Sequence, residues 1–182
     1  MRFRRSLVLL AVFAAGAALT LGDAADAKPA FQFRQVSYFH RWSQNDQHEF
    51  TPAQQEDLDH WTDMITVNDY PGVRDGDSLA ATANKVLENY KSHEGKLLKT
   101  NSVPRTADRP AEHFIAVMFA RPQFAELAFA RFNLVENKGH SFVYSRRFYG
   151  EKSRQEADAW LAANGDEVEK ALMNWEPPAI GK

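Results

Sequence analysis

The stretch EHFIAVMFARPQFAELAFARFNLVENKGHSFVYSRRFY, residues 112–149, decides the fold. It contains three apolar or alternating runs, at 112–120, 124–136 and 140–149, separated by short connections that contain Pro122 and Gly139. Runs of this kind joined by short turns predict three consecutive antiparallel strands. The middle run is also rich in helix-forming residues, so a helix is its alternative.

Further strands are predicted on the N-terminal side of this stretch. Alternating aromatic residues at 31–42 indicate a first strand or two, and the polar segment 44–55 with Pro52 indicates a loop or a short hairpin. The alternating run at 58–67 is typical of a half-buried strand, and residues 97–103 are predicted to form a short strand.

Two amphipathic helices complete the predicted elements. The first begins at Asp77 or Ser78, which can cap it, and Gly95 is placed to end it. The second begins with a capping box formed by Ser153 and Glu156, and Asn164-Gly165 is expected to break it into two pieces.

Strands in a run with few helices favour an α+β fold. We expect an antiparallel sheet of about five to six strands, with the two helices packed on one of its faces. The order of elements over residues 31–176 is similar to that of the PsbP-like fold, named after the extrinsic protein of photosystem II. That resemblance implies an adaptor or binding protein without catalytic activity.

The N-terminus has the pattern of a secretory signal peptide. Arg2, Arg4 and Arg5 precede an apolar run from Leu7 to Leu21, and Ala25-Asp26-Ala27 fits the small-residue cleavage pattern. The apolar run is shorter than the roughly 20 residues that a membrane-spanning helix needs. We therefore predict cleavage after Ala27, export to the periplasm or the medium, no membrane anchor after cleavage, and one globular domain over residues 28–182.

Composition excludes several classes of function. The formal net charge is −2, which argues against nucleic acid as a partner. The chain contains no cysteine, which excludes cysteine nucleophiles, thiolate metal sites and iron–sulfur clusters. Export without disulfides suits a bacterial cell envelope, where a domain of this size can be stabilised by hydrophobic burial.

No sequence motif assembles a catalytic, metal or cofactor site. His48-Glu49 begins the pattern of zinc proteases, but Pro52 stands where the second histidine is needed. Gly139-His140-Ser141 begins a nucleophile elbow, but the final glycine is missing. The six histidines have no metal-binding spacing, although three of them can still meet through folding: His40, His48 and His60. We predict no cofactor and no metal.

The arginine pair in the last strand of the opening stretch is the most informative feature. Alternation in a strand sends Arg147 to one face and Arg146 to the other, in a row with Tyr144 and Phe148. A three-residue hairpin loop at 137–139 would place Ala130 opposite Arg146. A charge in an aromatic row needs a partner, so Arg146 either pairs with Glu126 or Asp63 or grips an anionic ligand bidentately.

These observations predict an exported, non-catalytic binding or accessory protein of the bacterial cell envelope. Its partner is a protein or a small anionic ligand. The candidate binding residues are Arg146, Tyr144, Phe148, His113 and Glu126. The alternative is a secreted hydrolase-type enzyme whose site is assembled only in the fold, for which His113, Arg146 and Glu126 would be tested first.

Overall fold

The computed structural model describes residues 28–177. The predicted signal peptide lies outside these residues, so it stays a prediction. The elements, in chain order, are β1 (Phe31–Phe33), β2 (Val36–Gln44), β3 (Gln47–Pro52), β4 (Asp63–Tyr70), α1 (Gly76–Ser92), β5 (Lys96–Val103), β6 (Glu112–Ala120), β7 (Phe124–Val135), β8 (Lys138–Tyr149) and α2 (Ser153–Asn174).

All the strands form one antiparallel sheet with the order β1-β2-β3-β4-β8-β7-β6-β5. The predicted α+β class and the meander β6-β7-β8 are confirmed. The predicted number of strands is too low, because the sheet has eight. The segment around residues 47–52 is a strand despite its polar composition, because both neighbouring strands pair with it and bury Glu49 and Thr51.

The two helices cover opposite faces of the sheet, so the prediction that both pack on one face is wrong. Leu79 and Ala83 of α1 pack against Ile115, Val117 and Phe119 of β6. The alternate residues of the same strand contact α2 instead. The hydrophobic core between the sheet and α2 contains, among others, Phe114, Ala116, Met118, Phe129, Phe142, Ala157, Val168 and Leu172. Burial on both faces explains why β6 and β7 are continuous apolar runs.

Two-residue turns connect three of the hairpins. Glu136 and Asn137 both have positive φ, at 50° and 59°, between the paired residues Val135 and Lys138. These backbone values are those of a type I′ turn, which suits the twist of the flanking strands. The predicted three-residue loop is therefore wrong. Gly139 is required for a different reason, because a Cβ there would lie 2.6 Å from Cβ of Val73.

The shorter turn changes the register of β7 against β8. Leu127, and not Ala130, lies opposite Arg146, and Phe129 lies opposite Tyr144. The predicted and observed registers differ by three residues. Because side chains alternate along a strand, this odd difference places Arg131 on the face covered by α2, opposite Phe142.

The helix ends also differ from the predictions. Asp75 caps α1, since its carboxylate accepts from the backbone N–H of Ser78, and the hydroxyl of Ser78 is near the Asp75 backbone N–H in return. Lys152 precedes α2 without a side-chain cap, and the helix runs through Gly165 without a break. Glu94, and not Gly95, has the left-handed backbone after α1.

Candidate functional site

Arg146 is held by a carboxylate on the α2 face of the sheet. Asp63 of β4 lies opposite it, and the guanidinium Nη1 donates to both oxygens of Asp63 at 2.8 Å. The hydroxyl of Tyr144 donates to the same carboxylate at 2.7 Å. Of the two partners predicted for Arg146, Asp63 is the one that the fold supplies.

Aromatic rings complete this environment. The guanidinium carbon of Arg146 lies 5.5 Å from the ring centre of Phe148 and 5.3 Å from that of Trp160 in α2. Burial opposes its charge, but the carboxylate of Asp63 and the hydroxyl of Tyr144 outweigh burial and raise the pKa of Arg146. Desolvation, with the negative charge of Asp63, raises the pKa of Tyr144. The cluster is therefore an ion pair formed through Nη1, while Nε of Arg146 is buried without a hydrogen-bond partner among the described residues. Binding of an external anion by Arg146 stays a prediction.

Glu126 and Arg147 form a second ion pair on the opposite face. The Nε of Arg147 donates to Glu126 at 2.8 Å, and both side chains are nearly buried. The guanidinium lies between the rings of Trp61 and Phe124, at 4.0 and 4.3 Å from their centres. Glu126 therefore does not join Arg146 in one site.

A third carboxylate is buried near this pair. Glu49 of β3 is 5 % exposed and accepts a hydrogen bond from Gln47 at 2.9 Å. Burial raises the pKa of Glu49, although Gln47 and the positive charge of Arg147 partly offset this effect. The group is a titratable carboxyl inside the fold with no cation in direct contact among residues 28–177.

His113 lies at the other end of the sheet, opposite Phe132. Its Nδ1 is 3.0 Å from the hydroxyl of Ser102, and its Nε2 is buried without a partner among the described residues. Burial lowers the pKa of His113. The candidate residues named from the sequence thus occupy three places: Tyr144, Arg146 and Phe148 come together, while His113 and Glu126 each lie elsewhere.

A chain of polar contacts that the sequence did not show crosses four strands on the α2 face. Ser43 Oγ is 2.6 Å from His40 Nε2 and 2.7 Å from His48 Nδ1. His48 Nε2 lies 3.7 Å from Asp69, whose other oxygen is 2.8 Å from His140 Nδ1. Of the three histidines that could meet through folding, His40 and His48 contact the same hydroxyl, whereas His60 lies elsewhere, 2.9 Å from Asp57.

A cleft of about 310 Å³ opens between the edge strand β5 and α2. Lys99 lines it, 2.5 Å from Glu169 and 3.5 Å from Asp166. The hydrogen bond from Lys99 to Glu169 raises the pKa of Lys99. The remaining lining residues are Asn101, Val103, Lys170 and Met173. Neither this cleft nor the histidine chain has a motif in the sequence, because both depend on strand register and helix placement.

Two properties of the described residues bear on metal and membrane. Residues 28–177 hold no group of three or more histidine or carboxylate side chains arranged to bind a metal ion. Across the same span, neither helix has the length and apolar character needed to cross a bilayer.

No protein-family model matches this chain, and no curated protein is similar to it in sequence. A comparison with solved structures gives matches of low sequence identity. The Ran-binding protein Mog1p of Saccharomyces cerevisiae is 12% identical over 75% of this chain and 81% of that chain, with a TM-score of 0.48. Human STARD10 is 8% identical over 76% and 74%, with a TM-score of 0.31. The lipid transfer and protein localization domain of human StarD13 is 7% identical over 79% and 91%, with a TM-score of 0.29.

Proposed function

We propose that this chain is an exported binding protein of the cell envelope that holds an extended segment of a partner protein along β5. The observation that carries the proposal is the cleft beside this strand, which lies at the free edge of the sheet. Binding of this kind uses backbone hydrogen bonds and side-chain pockets and requires no reaction chemistry.

β5 offers a backbone edge for pairing. Among residues 28–177 it pairs with β6 alone, from Lys96 to Val103, with a bulge between Leu97 and Lys99. The outer edge of such a strand has N–H and C=O groups that a further strand can pair with. Only Leu98 and Val103 are even half-buried along β5, so the strand is accessible over its length.

The cleft lies on the correct side of that edge to receive side chains. Lys99, Asn101 and Val103 alternate along β5 and face α2. A strand added beside β5 would direct every second side chain to the same side, because side chains alternate along a strand. Val103 and Met173 supply an apolar end to the cleft, and Lys170 supplies a positive charge that forms no ion pair within residues 28–177.

These charges favour a peptide segment over the other possible occupants. Pairing of β5 with β5 of a second copy would bring lysines of the two strands close together, which is unfavourable. A small anion would have to compete with Glu169 and Asp166 for Lys99. An extended segment with an apolar residue and, two positions away, an acidic residue would contact both Met173 and Lys170 without disturbing that network.

Export is supported by the pattern of residues 1–27, namely the positive start, the apolar run and the cleavage pattern at Ala25-Asp26-Ala27. The mass of the protein recovered from the periplasm and from the medium tests it. We expect a chain that begins at Lys28, and a full-length chain in the cytoplasm would contradict export.

Selection of peptides displayed on phage tests the binding surface. We expect enriched peptides to contain an apolar and an acidic residue two positions apart, and to shift the NMR signals of β5 and of α2 residues 166–173. Lys170→Glu should weaken the binding of a selected peptide about tenfold, because an exposed charge pair becomes a like-charge pair.

Arg154→Glu is the matched control, since Arg154 is exposed on the same helix and outside the cleft. It should leave the affinity unchanged. Selected peptides that shift signals only on other surfaces, or that bind the Lys170→Glu variant equally well, would contradict the proposal.

A further inference from the structure

Ser43 lies near the end of the β2–β3 hairpin, at the opposite end of the sheet order from the β5 cleft. The register of β2 against β3 shifts between His40 and Trp42. This bulge places residues three apart, His40 and Ser43, on the same face, where regular alternation would separate them. The turn at Asn45 and Asp46, with φ of 49° and 63°, then brings His48 back opposite Ser43.

The hydroxyl of Ser43 is held between two imidazoles. It lies 2.7 Å from His48 Nδ1 and 2.6 Å from His40 Nε2. A hydroxyl has one proton, so it donates to one ring nitrogen and accepts from the other. An imidazole at this distance from a hydroxyl is in the position of a general base.

Asp69 is too far from His48 for a hydrogen bond, but its negative charge favours protonation of that ring. Its carboxylate lies 3.7 Å from His48 Nε2, and its other oxygen is 2.8 Å from Nδ1 of His140. A carboxylate on the Nε2 side favours the tautomer of His48 with the proton on Nε2, which leaves Nδ1 to accept from Ser43. His40 then donates to Ser43 Oγ from its own Nε2.

We propose that Ser43 is a nucleophile that accepts an acyl group from small activated esters. Ser43 Oγ attacks the ester carbonyl while its proton moves to His48 Nδ1. The C–O bond to the leaving alcohol then breaks, and the alcohol takes that proton. Water hydrolyses the acyl-serine with the same base, which releases the carboxylic acid. This activity goes beyond the proposed binding role and uses none of the residues of the β5 cleft.

The other residues in this chain of polar contacts have separate roles. The Nε2–H of His40, already directed at Ser43 Oγ, can donate to the oxyanion that forms on the attacked carbonyl. Asp69 and His140 are positioning residues, because they act on Ser43 only through His48. Ser43 and His40 are exposed, so the site is open to a small ester from solvent.

A second serine–histidine pair in the same chain provides an internal comparison. Ser102 Oγ lies 3.0 Å from His113 Nδ1, but Nε2 of that ring is buried without a partner in the described part of the chain. Within residues 28–177 no carboxylate contacts His113, so its hydroxyl partner is not activated in the same way. Ser43 and Ser102 should therefore differ in reactivity.

A fluorophosphonate probe tests the proposal directly on the full chain. Attack by the serine oxygen forms the P–O bond and releases fluoride, and peptide mapping then locates the adduct. We expect modification at Ser43, its loss in Ser43→Ala, and a labelling rate about 100-fold lower in His48→Gln, as for the loss of a general base. Ser37→Ala and Ser102→Ala should label as the wild type does, and an adduct rate at Ser43 no higher than at Ser37 would overturn the proposal.

A second variant keeps the test valid if His48→Gln fails to fold. The chain has no cysteine, so Ser43→Cys and Ser37→Cys each introduce one thiol. A thiol beside an imidazole has a larger thiolate fraction, so Ser43→Cys should react with iodoacetamide about tenfold faster than Ser37→Cys. Equal alkylation rates would show that the imidazoles do not activate this position.

Discussion

Arg131 is predicted to contribute more to the stability of the fold than any surface charge, because it joins β7, β6 and the end of α2. Its Nε donates to Glu112 at 2.7 Å, and both side chains are buried, at 7% and 5% exposure. Its Nη1 donates to the backbone carbonyls of Leu172 at 3.1 Å and Trp175 at 2.5 Å. Substitution with methionine keeps much of the stem and removes all three hydrogen bonds.

The expected loss follows from those contacts. Removing one partner of a buried ion pair costs about 3–5 kcal/mol. Glu112 keeps Arg109, which donates to its other oxygen at 2.7 Å, so the lower part of that range applies to the pair. The two carbonyls at the end of α2 add about 1 kcal/mol each. Arg131→Met should therefore lower the free energy of unfolding by about 5 kcal/mol.

Urea unfolding measured by circular dichroism tests this value. Glu112→Gln in the Arg131→Met background should recover part of the loss, because the buried carboxylate of Glu112 otherwise keeps only the half-exposed Arg109 as its cation. Arg154→Met replaces an exposed arginine and should change the free energy of unfolding by less than about 0.5 kcal/mol. A loss below about 1 kcal/mol in Arg131→Met would refute the assignment of these contacts as stabilising.

Three further changes test other parts of the fold. Asp63→Asn should lower the free energy of unfolding in urea by about 1–2 kcal/mol, because Arg146 loses its carboxylate but is partly exposed; no change would mean that the pair is not formed. Burial raises the pKa of Glu49, so the folded state binds the proton more tightly than the unfolded chain does. Glu49→Gln should therefore become progressively more stable than the wild type as the pH rises above the pKa of an exposed glutamate. Parallel curves of unfolding free energy against pH, from pH 4 to 8, would disprove this. Gly139→Ala should lower the free energy of unfolding by about 1–3 kcal/mol in thermal unfolding, since its Cβ would overlap Val73, whereas Gly76→Ala, which has open space, should not change it. Equal melting temperatures of the two variants would contradict the close approach of Gly139 to Val73.

The meander could be predicted from the sequence because its strands are long, apolar and separated by turn residues. The same strands also indicate that the sheet is covered on both faces. The run FIAVMF in β6 has no polar residue, and a strand buried on one face only would alternate. That continuity indicates cover on both faces, which is where α1 and α2 lie.

Register could not be obtained from the sequence alone. Glu136 and Asn137 are both able to form the two-residue turn, but the following glycine favours a longer loop on composition alone. A register with Ala130 opposite Arg146 also places Arg131 opposite Ser145, whereas the structure places it opposite Phe142 on the face covered by α2. The pairing of Arg146 with Asp63 could be anticipated, since a charge in an aromatic row needs a partner whatever the register.

The candidate sites were less predictable than the fold. His40 and Ser43 share a face only because of the bulge between them, and Asp69 reaches His48 only through the β3–β4 register. The cleft beside β5 depends on where α2 crosses the sheet, which no local pattern determines.

Amide hydrogen exchange along β5 tests the central claim, that an extended segment pairs with this edge, most directly. In the free protein, the amides of β5 that point away from β6 should exchange rapidly, because β6 is the sole strand beside β5. With a selected peptide bound, we expect every second amide from Lys99 to Val103 to become protected, because the bulge between Leu97 and Lys99 interrupts the alternation nearer Lys96. Unchanged exchange along β5, with protection on another surface, would contradict the claim.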